Sequence, residues 1–301
     1  MSAQARLAGI ELGGTKGIAV LALGQEIVDT LTIPTGEVIG TLGALRQQLG
    51  RWHAAEPLQA IGIASFGPVQ LDHTQPHYGT ILATPKPGWS GAPVADLLTG
   101  GLDCPWRIDT DVNGAALAEF QGGAGIGCDP LCYITLGTGV GGGLLVGGRP
   151  VHGAMHPELG HLRLRRAPGD TFAGICPFHG DCVEGLVSGP ALAARFGGDA
   201  ASVPDSHPGW DDVASDIAAL CGAILLTTAA KRILFGGSIA LHRTFLLPRV
   251  RARLVEALGS YLPYLTAATA TDIVQVAGLG TEAGPLGAIA LAADALEGAA
   301  R

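Results

Sequence analysis

Two glycine-rich bends of one design, "ELGGTKG" (Glu11 to Gly17) and "TLGTGVGGG" (Thr135 to Gly143), do most to limit what this chain can fold into. Each sits between short apolar runs and reads as strand, tight turn, strand, not as strand, turn, helix. Neither is a Walker loop, since no G-x-x-x-x-G-K-[ST] precedes a helix. The first bend lies in "LAGIELGGTKGIAVLALGQEIVDTLTIP", which predicts three antiparallel strands with a second turn at Gly24-Gln25. The second lies in "LCYITLGTGVGGGLLVGGRPV", a hairpin with a turn at Gly147-Gly148. Two hairpins at matching places imply a pseudo-repeat.

Helices and strands alternate after each hairpin. Helical periodicity covers 36–52, "LQAIGIASFGPV" is a buried strand ending in a Gly-Pro turn, and "GAPVADLLTG" is a short helix. "PWRIDTDVNGAALAEFQGG" is a strand running into an Asp/Asn-capped helix. In the second half, helices are expected at 188–197, 211–232, 242–262 and 282–297, with strands at "RILFGG" and "DIVQVAGL". The stretch 202–212 reads as a surface loop. The fold class is therefore α/β in two lobes with an interlobe cleft. The 301 residues exceed what one core usually serves. Residues 1–112 are expected to form a small lobe, with a C-terminal helix at about 285–301 packing back on it, and 113–284 a large lobe.

Composition narrows the function. The net charge of −8 and the three lysines, Lys16, Lys86 and Lys231, disfavour a nucleic-acid partner. No apolar run is long enough to span a bilayer, and the N-terminus lacks a signal-peptide core, so a cytoplasmic protein without membrane partners is expected. Cys104, Cys128, Cys132 and Cys221 read as small buried hydrophobes of a reducing compartment.

The bends suit phosphate. Backbone N–H groups of Gly13, Gly14, Thr15 and Lys16, and of Gly137, Thr138 and Gly139, can face phosphate oxygens, with two threonine hydroxyls to help. Glu11, at the mouth of the first bend, would repel phosphates on its own and is expected to act through a divalent cation, Mg²⁺. Gly236 and Gly237 in "LFGGS" join a strand to a helix and could accept the adenosine part of a nucleotide. In "DTDVNGAALAEF", Asp111 and Asn113 are good capping residues. Asp111 is also a candidate base, and Asp109, two residues away and expected on the same strand face, is its competitor.

Cys176-x2-His179-x2-Cys182 supplies three of the four ligands of a closed zinc site, with His161 the best fourth and His156 behind it. A redox pair is excluded, because that needs C-x-x-C. Four protein ligands leave no open position, so the zinc is expected to be structural.

These segments together resemble the ROK family of sugar kinases, and within it the bacterial fructokinases. The resemblance runs through "GIELGGTK", "SFGPV", "TPKPGW", "DTDVNGAALAE", "YITLGTGVGGG", "HGAMHPELGH", "CPFHGDCVEGLVSGPA", "FGGS" and "GTEAGPLGAIALA". It implies the actin-like, ribonuclease-H-like ATPase fold, usually as a homodimer, with ATP and a hexose as substrates. It implies Asp111 as general base, Glu158, His161 and Glu184 at the sugar, and His161, Cys176, His179 and Cys182 on zinc. The bends become the ATP phosphate contacts, and Gly67 and Pro68 fall among the sugar-side positions. Thr110 stands where many members have Asn, with Asn113 as the residue that would share its role. The implied reaction is phosphorylation of D-fructose at the 6-hydroxyl. The alternatives are a kinase for glucose, mannose or N-acetylmannosamine, and a non-catalytic sugar-sensing regulator, which the acidic charge and the early start of "GIELGG" disfavour.

Overall fold

A computed structural model describes residues 4–299. The termini assigned to the lobes, 1–3 and 300–301, lie outside the described residues. The chain forms two compact units. One comprises the chain to Ala118, Pro150–His156 and the chain from Thr281; the other comprises Glu119–Arg149 and Pro157–Gly280.

The first unit is built on β1 (Arg6–Leu12), β2 (Lys16–Leu23) and β3 (Glu26–Pro34), an antiparallel meander turning at Gly24 with φ +63°. Helix α1 (Val38–Ala55) follows, then β4 (Ala60–Ser65), α2 (Val94–Thr99) and β5 (Trp106–Thr110). The sheet order is β3-β2-β1-β4-β5, with β1, β4 and β5 parallel. The period-2 alternation of β1 sends Ala8, Ile10 and Leu12 to one face and Leu7 to the other. On the first face they meet Leu42, Leu45, Leu49 and Trp52 of α1, an apolar stripe at helical spacing, and Val94 and Leu98 of α2. Helix α3 (Asp111–Gly122) leaves the end of β5, and the division between units falls within it.

The second unit opens with the hairpin β6 (Leu131–Leu136) and β7 (Val140–Val146), then β8 (Arg149–Pro150). A long loop leads to α4 (Val183–Val187), α5 (Gly189–Phe196) and α6 (Gly209–Thr228). Then come β9 (Arg232–Gly236), α7 (Gly237–His242), α8 (Leu246–Leu258), α9 (Ala270–Ile273) and β10 (Val274–Val276). The sheet order is β10-β9-β6-β7-β8, with β6, β9 and β10 parallel. Each sheet thus sets an antiparallel hairpin beside two parallel strands, the predicted repeat.

The last helix, α10 (Ala283–Ala299), belongs to the first unit and covers the face that carries Leu7. Gly62 on β4 permits this, because a Cβ there would overlap the Ala288 carbonyl.

Three expectations need correction. The helix expected at 242–262 is shorter, α8 over Leu246–Leu258, and is separated from α7, which ends at His242. The strand expected at "DIVQVAGL" is shorter, since Asp272 and Ile273 belong to α9. The loop expected at 202–212 ends earlier, because α6 begins at Gly209 and fully buries Trp210. No helix among the described residues is long and apolar enough to cross a membrane.

Candidate active site and metal centre

In the first unit the candidate residues collect at the carboxyl ends of parallel strands. Register pairs Leu12 with Ser65 and Ser65 with Thr110, so the segments after β1, β4 and β5 emerge side by side. These segments carry Glu11 to Lys16, Gly67 and Pro68, and Thr110 to Asn113. Ligand sites of open α/β sheets lie at such strand ends.

The β1–β2 turn is closed by Gly13 N–H donating to Lys16 O at 2.9 Å, so that donor serves the turn itself. Gly14, Thr15 and Lys16 are exposed at its tip. Thr35 braces the turn from below: its Oγ1 donates to Gly13 O (2.8 Å) and its N–H to Thr15 O (2.9 Å). Lys86 Nζ donates to Gly14 O at 2.6 Å. Neither brace was foreseen, although Lys86 is one of three lysines and stands in a proline-rich loop.

Glu11 lies behind this turn. Its Oε2 is buried and has no hydrogen-bond partner among the described residues. Burial pushes its carboxyl above the usual carboxylate range, and Lys16 pulls the other way. Gly284, in the first turn of α10, leaves the space this carboxylate occupies; a Cβ there would overlap it. An orphaned buried carboxylate oxygen beside a phosphate-suited turn fits a divalent cation.

Asp109 and Asp111 separate cleanly. β5 ends at Thr110 and Asp111 is the first residue of α3, so the two are not on one strand face as expected. Asp109 is fully buried. Its Oδ1 accepts from Thr110 N–H and Asn113 Nδ2, each at 2.7 Å, and His152 Nε2 lies 3.2 Å from Oδ1 and 3.0 Å from Oδ2. A carboxylate so enclosed cannot reach a substrate. Asp111 is half-buried, with Oδ1 accepting from Val112 N–H at 2.9 Å. The cap of α3 is Thr110, whose Oγ1 accepts from Asn113 N–H at 3.2 Å, not Asp111 or Asn113. Asn113 is committed to Asp109 by its amide nitrogen.

The second unit gathers the other candidates. Gly137 N–H closes the β6–β7 turn on Gly139 O (3.0 Å), and Gly137 O accepts from Gly189 N–H of α5 (2.7 Å). β6 and β9 are parallel with Thr135 opposite Gly236, which brings Gly236 and Gly237 beside this turn. Gly237 has φ +83° and packs on the Leu136 backbone, where only glycine fits without strain.

Glu184 on α4 reaches the same turn. Its Oε2 accepts from Val140 N–H at 3.1 Å, and Gly139 leaves room for it. Glu158 stands close enough for Glu184 to act on it. Burial first, then the Glu184 charge, push the Glu158 carboxyl up to about 7.

His161, Cys176, His179 and Cys182 converge, each offering one ligand atom, all within 4.8 Å of one another. His161 Nδ1 lies 3.8 Å from Cys176 Sγ and 3.6 Å from Cys182 Sγ, and His179 Nδ1 lies 3.7 Å from Cys176 Sγ. Tetrahedral zinc with bonds of about 2.0–2.3 Å puts its ligand atoms roughly 3.3–3.8 Å apart, so the set fits the ion. His156, the reserve ligand, is used elsewhere: its Nε2 accepts from Val69 N–H at 3.1 Å. Cys176 and Gly180 pair their backbones in both directions, and Cys182 caps α4. Arg195 ties the same loop to α6 through Asp170 (3.1 Å) and Asp216 (2.8 Å).

A family profile described as "ROK family" matches residues 7–295. A protein named fructokinase from Zymomonas mobilis is 39% identical over 294 residues, covering 94% of this chain and 95% of that one. A fructokinase from Pediococcus pentosaceus is 36% identical, covering 97% of this chain and 99% of that one. Among solved structures, a ROK hexokinase from Thermus thermophilus superposes with TM-score 0.78 at 26% identity, over 97% of this chain and 99% of its own. The likeness assigns the α/β arrangement to the actin-like fold.

Proposed function

The chain belongs to the ROK family and is a hexose kinase, and we propose that it transfers the γ-phosphoryl group of ATP to the 6-hydroxyl of D-fructose. The observation that carries the assignment of roles is the separation of the two aspartates. Asp109 is enclosed by protein partners, whereas Asp111 heads α3 at the strand ends that carry the phosphate-suited turn. Full-length kinship with proteins named fructokinase supports the choice of sugar.

In this reading Asp111 takes the proton of the 6-hydroxyl as that oxygen attacks the γ-phosphorus. Such a base contributes about 10²–10⁴-fold, and positioning and charge stabilisation supply most of the rest. The exposed N–H groups at the tip of the β1–β2 turn in the first unit are suited to donate to phosphate oxygens, and within the second unit the Thr138 turn is suited to the same chemistry. Lys86 and Thr35 hold the first turn in shape, and the carbonyl of Gly137 anchored on α5 holds the second. Glu11 would hold Mg²⁺, which when bound neutralises phosphate charge. Glu158, His161 and Glu184 bind and orient sugar hydroxyls.

His161, Cys176, His179 and Cys182 would hold Zn²⁺ as a closed structural ion. It would supply rigidity rather than chemistry, because four protein ligands would leave no position open for a substrate. His161 belongs to both sets: Nδ1 faces the thiols, leaving Nε2 for a hydroxyl. A misplacement of about 1 Å can cost 10²-fold in rate, so fixing this imidazole matters.

A panel of ADP-release rates with fructose, glucose, mannose and N-acetylmannosamine tests the reading. Fructose should give the highest kcat/KM. A clear preference for another hexose would replace the substrate, and no turnover with any would remove the kinase.

A further inference from the structure

The segment Pro150–His156 belongs to the first unit, although the chain on both sides of it belongs to the second. Two histidines hold it there. His156 Nε2 accepts from Val69 N–H, next to Gly67-Pro68, and His152 Nε2 lies within 3.2 Å of both Asp109 oxygens. Asp109 is a hub. Its other bonds go to Thr110 N–H and Asn113 Nδ2, residues on either side of Asp111. Thr110 Oγ1 then closes the knot on Asn113 N–H. A fully buried carboxylate depends on its protein partners: Oδ2 makes no hydrogen bond of good geometry, with the His152 imidazole 3.0 Å away, and among the described residues His152 is the side-chain partner that reaches Asp109 from outside the β5–α3 junction.

We propose that His152 is a positioning residue for the base: acting through Asp109, it holds the first turn of α3 in the register that aims Asp111. The proposal rests on the reading of Asp111 as the base. The imidazole also borders an open pocket of about 350 Å³ with His73, Tyr78 and Arg107 among its walls. Shortening the side chain therefore admits water to Asp109, and the hub loses its grip on Thr110 and Asn113.

The test compares His152→Ala and His152→Gln in the full chain. Glutamine can place an amide N–H where the imidazole Nε2 stands. Steady-state kinetics with ATP and the preferred hexose are combined with hydrogen exchange at the amides of 110–116. The alanine variant should lose roughly 10–100-fold in kcat, with both KM values within about threefold of wild type. Its exchange at 110–116 should quicken while β6 and β9 stay protected. The glutamine variant should recover most of both. Wild-type kcat in the alanine variant, lost kcat with unchanged α3 protection, or a glutamine variant as poor as alanine would each overturn the proposal. If wild-type protein phosphorylates no hexose, the kinase reading falls by itself, and the exchange arm alone decides whether His152 holds the α3 turn.

Discussion

His161 points Nδ1 at Cys182 Sγ across 3.6 Å, so the nitrogen that faces the thiols is not the one left for a sugar hydroxyl. One imidazole thus belongs to a candidate metal cluster by one edge and, in the proposed reading, would serve the sugar site by the other. The cluster lies in the same loop system as Glu158 and Glu184, so in the proposed reading sugar affinity would depend on an ion that takes no part in phosphoryl transfer.

Removing the ion with a chelator should raise the sugar KM by roughly 10–100-fold, the range seen when support of a binding group is lost, while the ATP KM stays near its starting value. Melting should fall at the same time, and Zn²⁺ should restore both. Cys182→Ser should reproduce the stripped state. Unchanged KM and melting in metal-free protein, verified by elemental analysis, would contradict the staple.

The two aspartates should respond differently to the same isosteric change. Asp111→Asn should keep ATP and sugar KM within a few-fold and lose about 10²–10⁴ in kcat. Asp109→Asn alters a fully buried hub and should lower the melting temperature, with a loss of about 1–3 kcal/mol from mispaired donors. Interchanged phenotypes would reassign the base.

Gly284 bears on the cation. A methyl group there would displace the Glu11 carboxylate, so Gly284→Ala should raise the Mg²⁺ concentration needed for half-maximal turnover, by roughly tenfold, with the fructose KM little changed. A magnesium titration at fixed ATP reads this. A normal Mg²⁺ requirement would detach Glu11 from the cation.

Glu158 predicts a pH dependence with a definite sign. Its carboxyl titrates near 7 in the folded protein against about 4.5 unfolded, so between these values the folded state holds the extra proton. Stability should therefore fall as pH rises through this window and level off above it, by at most roughly 3 kcal/mol. Glu158→Gln should lose that slope. Parallel melting curves for the two proteins from pH 5 to 8 would show that Glu158 titrates elsewhere.

Much of this was legible in the sequence, for local reasons. A glycine bend between two apolar runs can hardly be anything but a hairpin, and Cys-x2-His-x2-Cys brings its ligands together over one turn of chain. The β5–α3 junction was not legible, because the roles of Asp109 and Asp111 depend on whether the strand stops at Thr110 or one residue later. His152 was missed because its partner lies 43 residues away, and spacing says nothing over that distance. The break between α7 and α8 did carry a signal. Pro248 fits the first turn of a helix and not its interior, which favours a helix starting near Leu246 over one starting at 242.

The central claim is phosphoryl transfer from ATP to fructose with Asp111 as base. Phosphorus NMR of wild-type protein and Asp111→Asn, each incubated with Mg²⁺, ATP and fructose, tests it most directly. The account predicts a growing fructose 6-phosphate signal matched to ADP in the wild type, and at least a hundredfold slower growth in the variant. ADP without a sugar phosphate, or equal rates in the two proteins, would contradict it.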